Sequence, residues 1–287
     1  MAGVLILAAK LLAAWISGST ALFSDALETL VNVASSGLAL YALIIAARPA
    51  DTKHNYGHGK AELLSAIATG AMILFAAALI FYRAIDAFLH PHAMAPLIGA
   101  LGIGLALNTA GGALNGVWAG VLFYVGKRNR SPALIADAEH LLSDLYTTAG
   151  ILVALLAAAL LKLPVLDPLI ALFIAGQIAF MGSKTVLRSI SGLLDEAPPP
   201  DVTARVQALV REHATGAIEA HDLRMRQSGN ASFLEFHLVV PGEMTVSAAH
   251  VICDRIEAAL KREMDGAVIT IHIEPEVKAK HEGVLVG

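Results

Sequence analysis

The chain has 287 residues, 56% of them hydrophobic and 15% charged, with a formal net charge of −4. That composition excludes an ordinary soluble enzyme and suits a membrane protein. The small negative charge argues against a nucleic-acid partner, and a single cysteine, Cys253, excludes an internal disulfide.

Apolar residues come in long runs up to about residue 190 and give way to polar ones beyond it. This predicts a membrane domain over 1–192, a linker over 193–200, a soluble domain over 201–277 and a tail over 278–287. The opening run, "MAGVLILAAKLLAAWISGS", lacks the charged leader and cleavage pattern of a signal peptide and reads as a first membrane helix. About 20 apolar residues cross a bilayer as helix. Six segments qualify: 2–20, 24–47, 63–89, 95–124, 132–160 and 165–188. Lys10 falls inside the first, where it either snorkels or faces the bundle interior. The fourth, "GALGIGLALNTAGGALNG", is built for close helix packing, because small residues let backbones approach.

Basic residues in short loops set the orientation. Arg48, Lys53 and Lys60 follow the second span, Lys127, Arg128 and Arg130 the fourth, and Lys184 and Arg188 the sixth; the opposite side has Lys162. Both termini and the soluble domain are therefore predicted cytoplasmic, with the chain multi-pass in the cell (inner) membrane. The second loop, "ADTKHNYGHGK", offers Asp51, His54 and His58.

After "PPP" at 198–200, which cannot continue a helix, an amphipathic helix is predicted over about 201–213. "AHDLRMRQSG" and "SFLEFHLVV" read as a hairpin turning near Ser228–Ala231. A helix over about 245–263 and a last strand, "AVITIHIEP", complete a small α+β domain of order αββαβ with its helices on one face. Period-two alternation puts Ile269, Ile271 and Ile273 on one face of the last strand, and Thr270, His272 and Glu274 on the other. In the middle strand Leu234, Phe236, Leu238 and Val240 face the helices, and Glu235 and His237 face away. His237, His272 and Glu274 thus meet on the open face. His221 shares parity with Leu223 and Met225, which conflicts with that face unless it lies before the strand. His250, Asp254 and Glu257 share the polar face of the second helix.

The second and fifth spans repeat one another. Offset by 112 residues, Leu22, Asp25, Ala26 and Leu30 meet Leu134, Asp137, Ala138 and Leu142; Glu28 meets His140 and Asn32 meets Asp144. Each span carries two liganding side chains at i and i+4, stacked on one helix face. Such groups can serve as interhelical glue, but that is worth about 0.6–2 kcal/mol per bond. An ionisable group near the bilayer centre costs about 2.5–3.5 kcal/mol, so a set of three with an amide marks an ion pathway. An imidazole with carboxylate and amide oxygens suits a divalent first-row metal: zinc first, with manganese, iron, cobalt or nickel as alternatives. Ionised Glu28 and Asp144 carry −2, which a dication neutralises; when it leaves, protons take its place.

With these residues in hand, the sequence resembles the cation diffusion facilitator family of metal–proton antiporters over essentially its whole length. The resemblance is carried by the HxxxD of the fifth span, the "GHGKAE" loop, "PADTKHNYGHGKAE" and "HDLRMRQSG". It implies a homodimer in the lipid bilayer, not an enzyme, with a tetrahedral transport site at Glu28, Asn32, His140 and Asp144. It also implies a loop site at Asp51, His54 and His58, and a cytoplasmic structural or regulatory Zn2+ site at His221, His237, His250, His272 and Glu274. Lys60 and Asp195 resemble a charge pair joining the membrane domain to the linker, and His281 takes no role. Glu28 and Asn32 depart from the Asp or His and the Asp usual in zinc transporters, and Glu274 from Asp. An intramembrane metallohydrolase is a remote alternative, disfavoured because no separate general base and no HExxH accompany the ligands.

Overall fold

The computed structural model describes residues 2–90, 100–128, 132–161, 163, 165–229, 231–264, 266–281 and 283–285. Within its helices, the side chains of 2, 100, 101, 126, 127, 132–141, 143, 144, 147 and 159 are not described. Six long helices come first: α1 (Ala2–Ser17), α2 (Thr20–Ala46), α3 (Ala61–Leu89), α4 (Ala100–Arg128), α5 (Pro132–Leu161) and α6 (Leu166–Leu193). Among the described residues three of them, α2, α3 and α6, are long and apolar enough to cross a membrane. At 16 residues α1 is shorter than its predicted span, because Gly18 takes φ +65° and ends it. The outer faces carry large exposed apolar side chains, among them Trp15, Phe75, Phe173 and Phe180. An apolar exterior on this scale is what a lipid environment requires.

Two compact units emerge. The first comprises 1–40 and 65–186; the second comprises 41–64 and 187–287, so α2, α3 and α6 each contribute to both.

Inside the first unit α4 lies tight against α1 and α5. A Cβ on Gly104 would sit 2.6 Å from Cβ of Ser17 and 2.8 Å from the Ala13 carbonyl, so this approach needs glycine. Buried charges inside the bundle are paired, although Asp25 Oδ2 and the Asn108 side-chain amide make no hydrogen bond among the described residues. Lys10, 1% exposed, donates from Nζ to Asp25 Oδ1 at 2.9 Å and to Thr148 Oγ1 at 3.2 Å; Thr148 in turn donates to Asp25 Oδ1 at 3.2 Å. The interior alternative for Lys10 is therefore the one realised, and one cation ties α1 to α2 and α5. At the head of α2 the buried Asp167 of α6 accepts from Ser19 Oγ (2.7 Å) and from the amides of Thr20 (2.9 Å) and Ala21 (3.1 Å). A carboxylate there satisfies otherwise orphaned N–H groups and complements the positive end of the helix dipole.

The second unit holds the α+β domain: α7 (Pro200–His213), β1 (Glu219–Ser228), β2 (Ala231–Val240), α8 (Val246–Glu263), β3 (Ala267–Pro275), a 3-10 turn (Glu276–Lys278) and β4 (Val284–Leu285). The predicted αββαβ order is present, with one strand more. The sheet order is β3-β2-β1-β4; β1 and β2 form an antiparallel hairpin closing at Ser228↔Ala231, and β3 runs parallel to β2 after the α8 crossover. Within the stretch read as a tail, Val284 and Leu285 pair with Ala220 and Glu219. Leu234, Phe236 and Leu238 of β2 pack against Val206 and Val210 of α7 and Ile252, Ile256 and Leu260 of α8. Pro200 opens α7 at a position where its missing N–H costs nothing, and Thr245 caps α8 by accepting from the Ala248 amide. Cys253 is part of this core, and burial raises its thiol pKa.

The Lys10–Asp25 pair makes the first prediction. Lys10→Met leaves a buried carboxylate without its cation and should cost about 3–5 kcal/mol, whereas Lys10→Met with Asp25→Leu should recover most of that loss. Thermal unfolding in detergent of the singles and the double measures it; equal losses in all three would show that the pair does not carry the packing.

Candidate metal centres and the charge pair

Four groups of residues were singled out by the sequence. Glu28 and Asn32 lie one turn apart on α2, both half-buried. His140 and Asp144 belong to α5, but their side chains lie outside the described residues. Asp25 and Thr148, hydrogen-bonded to each other, stand three residues before Glu28 and four residues after Asp144.

The loop residues converge. Asp51 Oδ1 accepts from the amides of Lys53 (2.8 Å) and His54 (2.7 Å), while Oδ2 lies 3.5 Å from His58 Nε2. One ligand atom from each of Asp51, His54 and His58 falls within 4.8 Å of the others. The His54 and Lys53 amides hold the Asp51 carboxyl below its usual pKa, so it stays ionised.

Lys60 and Asp195 form an ion pair at 2.9 Å, and Lys60 also donates to the Leu193 carbonyl at 3.2 Å. Asp195 sits just past the end of α6 with φ +59°, one of the few non-glycine residue types that tolerates this region, and the Glu196 amide closes back to the Ser191 carbonyl at 3.1 Å. Arg226 adds a second cation 3.7 Å from Asp195 and stacks over Tyr56 (4.9 Å) and Phe233 (4.3 Å). Sequence reading missed Arg226; the Arg/aromatic pattern of "RMRQSG" and "SFLEF" was the available signal. Lys60 is the main cause that holds the Asp195 carboxyl below its ordinary pKa, with Arg226 assisting.

On the open face of the sheet, His237 pairs with His221 on β1 and with His272 on β3, and the ring centroids are 5.3 and 5.0 Å apart. Glu274 reaches three of them: 3.3 Å to His221 Nε2, 3.3 Å to His237 Nδ1 and 3.8 Å to His272 Nε2. His221 lies inside the strand rather than before it. A β-bulge between His221 and Arg224, with Asp222 at φ +55°, reverses the parity and puts His221 on the same face as His237. The bulge also brings in Asp222, which no sequence argument had proposed; His221, Asp222 and His237 each place a ligand atom within 4.8 Å of one another. His250 does not join them within one chain: it is exposed on α8, 3.7 Å from Asp254, and α8 packs on the opposite face of the sheet. Of the donor atoms, His221 Nε2 and His237 Nδ1 are buried and make no hydrogen bond, although Glu274 is close. Two buried imidazole nitrogens beside a carboxylate fit a Zn2+-type ion, which would satisfy them.

A model of the cation efflux transmembrane domain matches residues 1–194, and a model of the cation efflux protein cytoplasmic domain matches 198–276. The chain belongs to the cation efflux family, the cation diffusion facilitators. It is 40% identical over 266 residues to an uncharacterized transporter of Synechocystis sp., spanning 93% of this chain and 84% of that one. To the cation-efflux pump FieF of Cronobacter sakazakii it is 33% identical over 278 residues, covering 96% and 90%. A solved structure described as the zinc form of the putative zinc transporter CzrB is 47% identical, covers 30% of this chain and 98% of that chain, and has a TM-score of 0.29. Cation efflux proteins are integral membrane transporters, so the apolar exterior of the helices faces lipid.

Asp195 sets a pH prediction. Its folded pKa is depressed, so the pair contributes fully above the unfolded value of about 3.9 and is lost as pH falls through the folded value. The stability difference between wild type and Asp195→Asn, read from melting midpoints, should shrink as pH drops below about 4. A difference independent of pH would mean that the side chain acts by packing rather than charge.

Proposed function

We propose that the chain is a homodimeric antiporter that exports a divalent metal, zinc first, from the cytoplasm in exchange for protons. In this reading residues 1–192 are the six-span membrane domain and 193–200 the linker. Residues 201–277 are the cytoplasmic metal-binding and dimerisation domain, and both termini face the cytoplasm across the inner membrane. Glu28, Asn32, His140 and Asp144 hold the transported ion. Asp51, His54 and His58 form a loop site, while His221, His237, His272 and Glu274, with His250, serve a cytoplasmic zinc site.

The observation that carries the transport site is the Asp25–Thr148 hydrogen bond of 3.2 Å between α2 and α5. Alternating spans run α2 and α5 antiparallel. Three residues on from Asp25 and four back from Thr148 then move the same way along the bundle, by about 4.5 and 6 Å at 1.5 Å per residue. On this reading the backbone positions 28 and 144 come to nearly one depth, on helices joined by that bond. Two ionised carboxylates brought together in an apolar bundle repel each other, and a dication or protons relieve that. Competition of metal and proton for one set of oxygens is the physical basis of exchange.

Asn32 favours a second reading within this class. An amide is a weaker ligand and cannot titrate, which widens the choice to manganese, iron, cobalt or nickel. Metal uptake into proteoliposomes under an imposed pH gradient tests the function: an antiporter accumulates metal against its gradient, a channel only dissipates it. Asp144→Ala should abolish pH-driven uptake with folding retained; undiminished transport would overturn the site. Asn32→Asp should tighten zinc binding and change its pH dependence in calorimetry, and identical isotherms would remove Asn32 from the ligand set.

A further inference from the structure

The cytoplasmic cluster has an outer layer that belongs to the far C-terminus. Glu219 is fully buried, and a buried carboxylate must find donors or pay several kcal/mol in lost hydration. It finds three. His221 Nδ1 lies 2.9 Å from Oε1, the Lys280 amide donates to Oε1 at 3.2 Å, and the His281 amide donates to Oε2 at 2.8 Å. The two oxygens of one carboxylate have lone pairs enough to accept all three bonds. A His221 imidazole that gives its Nδ1 hydrogen to Glu219 is left with an Nε2 lone pair, and Nε2 is the atom aimed at Glu274.

The segment that supplies the two amides is docked by more than Glu219. Lys280 Nζ donates to both oxygens of Asp222 at 2.8 and 2.7 Å. Val284 and Leu285 pair with Ala220 and Glu219, and Gly283 lies so close to β1 that a Cβ there would run into the Ala220 carbonyl. Residues 280, 281 and 283–285 therefore grip the strand that carries His221 from just before it to just after it.

We propose that Glu219 is a positioning residue for the cytoplasmic metal cluster, and that docking of residues 280, 281 and 283–285 and metal binding at His221 favour each other through it. The proposal rests on the reading of that cluster as a metal site. Glu219 fixes the His221 tautomer and ring orientation, and carboxylate partners of metal-bound histidines are worth about 10–100-fold in affinity. Coupling is reciprocal, so the factor by which a docked segment tightens metal binding is the factor by which metal stabilises docking. A transporter so built reports cytoplasmic metal as order at its C-terminus.

The test uses the full chain in detergent, with Asp51→Ala and Asp144→Ala present to silence the other two proposed sites. Zn2+ binding is followed by calorimetry, and exchange of the Lys280 and His281 amides by hydrogen–deuterium mass spectrometry. In the parent, Zn2+ should slow exchange of these amides. Glu219→Gln, and separately Val284→Pro, which breaks the pairing with Ala220 from the helix side of the sheet, should weaken Zn2+ binding about 10-fold or more and remove the metal-dependent protection. Should Glu219→Gln fail to fold, Val284→Pro carries the test. Unchanged affinity in Val284→Pro with its segment released, or exchange in the parent that ignores Zn2+, overturns the coupling while leaving the site intact. Unchanged Zn2+ stoichiometry in His237→Ala overturns the metal reading itself, and the proposal with it.

Discussion

A charge inside an apolar bundle must meet its opposite, and the first unit is organised around one such meeting. Lys10, Asp25 and Thr148 come from three helices and close on one carboxylate oxygen. In water the same contact would be worth a fraction of a kcal/mol. Buried, it is a strict condition, since losing either charge strands the other. The Asp167 cap at the head of α2 obeys the same rule with backbone dipoles in place of a cation. Both interactions involve α2, the helix that carries Glu28 and Asn32, so the polar matching that lets the bundle exist also sets the position of that helix.

The second unit solves a different problem, how a water-exposed loop keeps a defined shape. Its loop is short, polar and rich in turns. Lys60 holds the end of α6 through Asp195, and Arg226, from the hairpin, sits over Tyr56 and Phe233 while reaching toward the same carboxylate. An exposed ion pair alone contributes little. Two cations on one carboxylate, with a guanidinium covering two rings, add packing area that salt does not screen. This places the Asp51, His54 and His58 group on an ordered support rather than on a mobile connection.

Much of this architecture was legible in residue order. The hydrophobic runs located six helices to within a few residues at most ends, and the alternation in "SFLEFHLVV" and "AVITIHIEP" sorted core from open face correctly. What escaped was non-local or depended on backbone exceptions. Lys10 could not be placed because its partners lie 15 and 138 residues away. His221 was put on the wrong parity because a bulge at Asp222, invisible to a strict period of two, shifts everything before it to the other face. The same bulge hid Asp222 as a ligand candidate. The final strand escaped for another reason: two residues beside glycine carry too little pattern to announce a strand, and only pairing with Glu219 and Ala220 defines it.

An electrostatic argument accounts for an amide at position 32. On the transport reading the ligand set holds two negative charges, from Glu28 and Asp144, which is what a dication needs for neutrality. Asp25, one turn away on the same helix, would make a third. Its pairing with Lys10 cancels that charge. With an aspartate at position 32 and Lys10 in place, the occupied site would carry a net −1, costly in low dielectric unless a proton stays bound. The amide avoids that residual charge. It gives up one oxygen anion of affinity and one titratable group, and on the transport reading any proton exchange would fall to Glu28, His140 and Asp144.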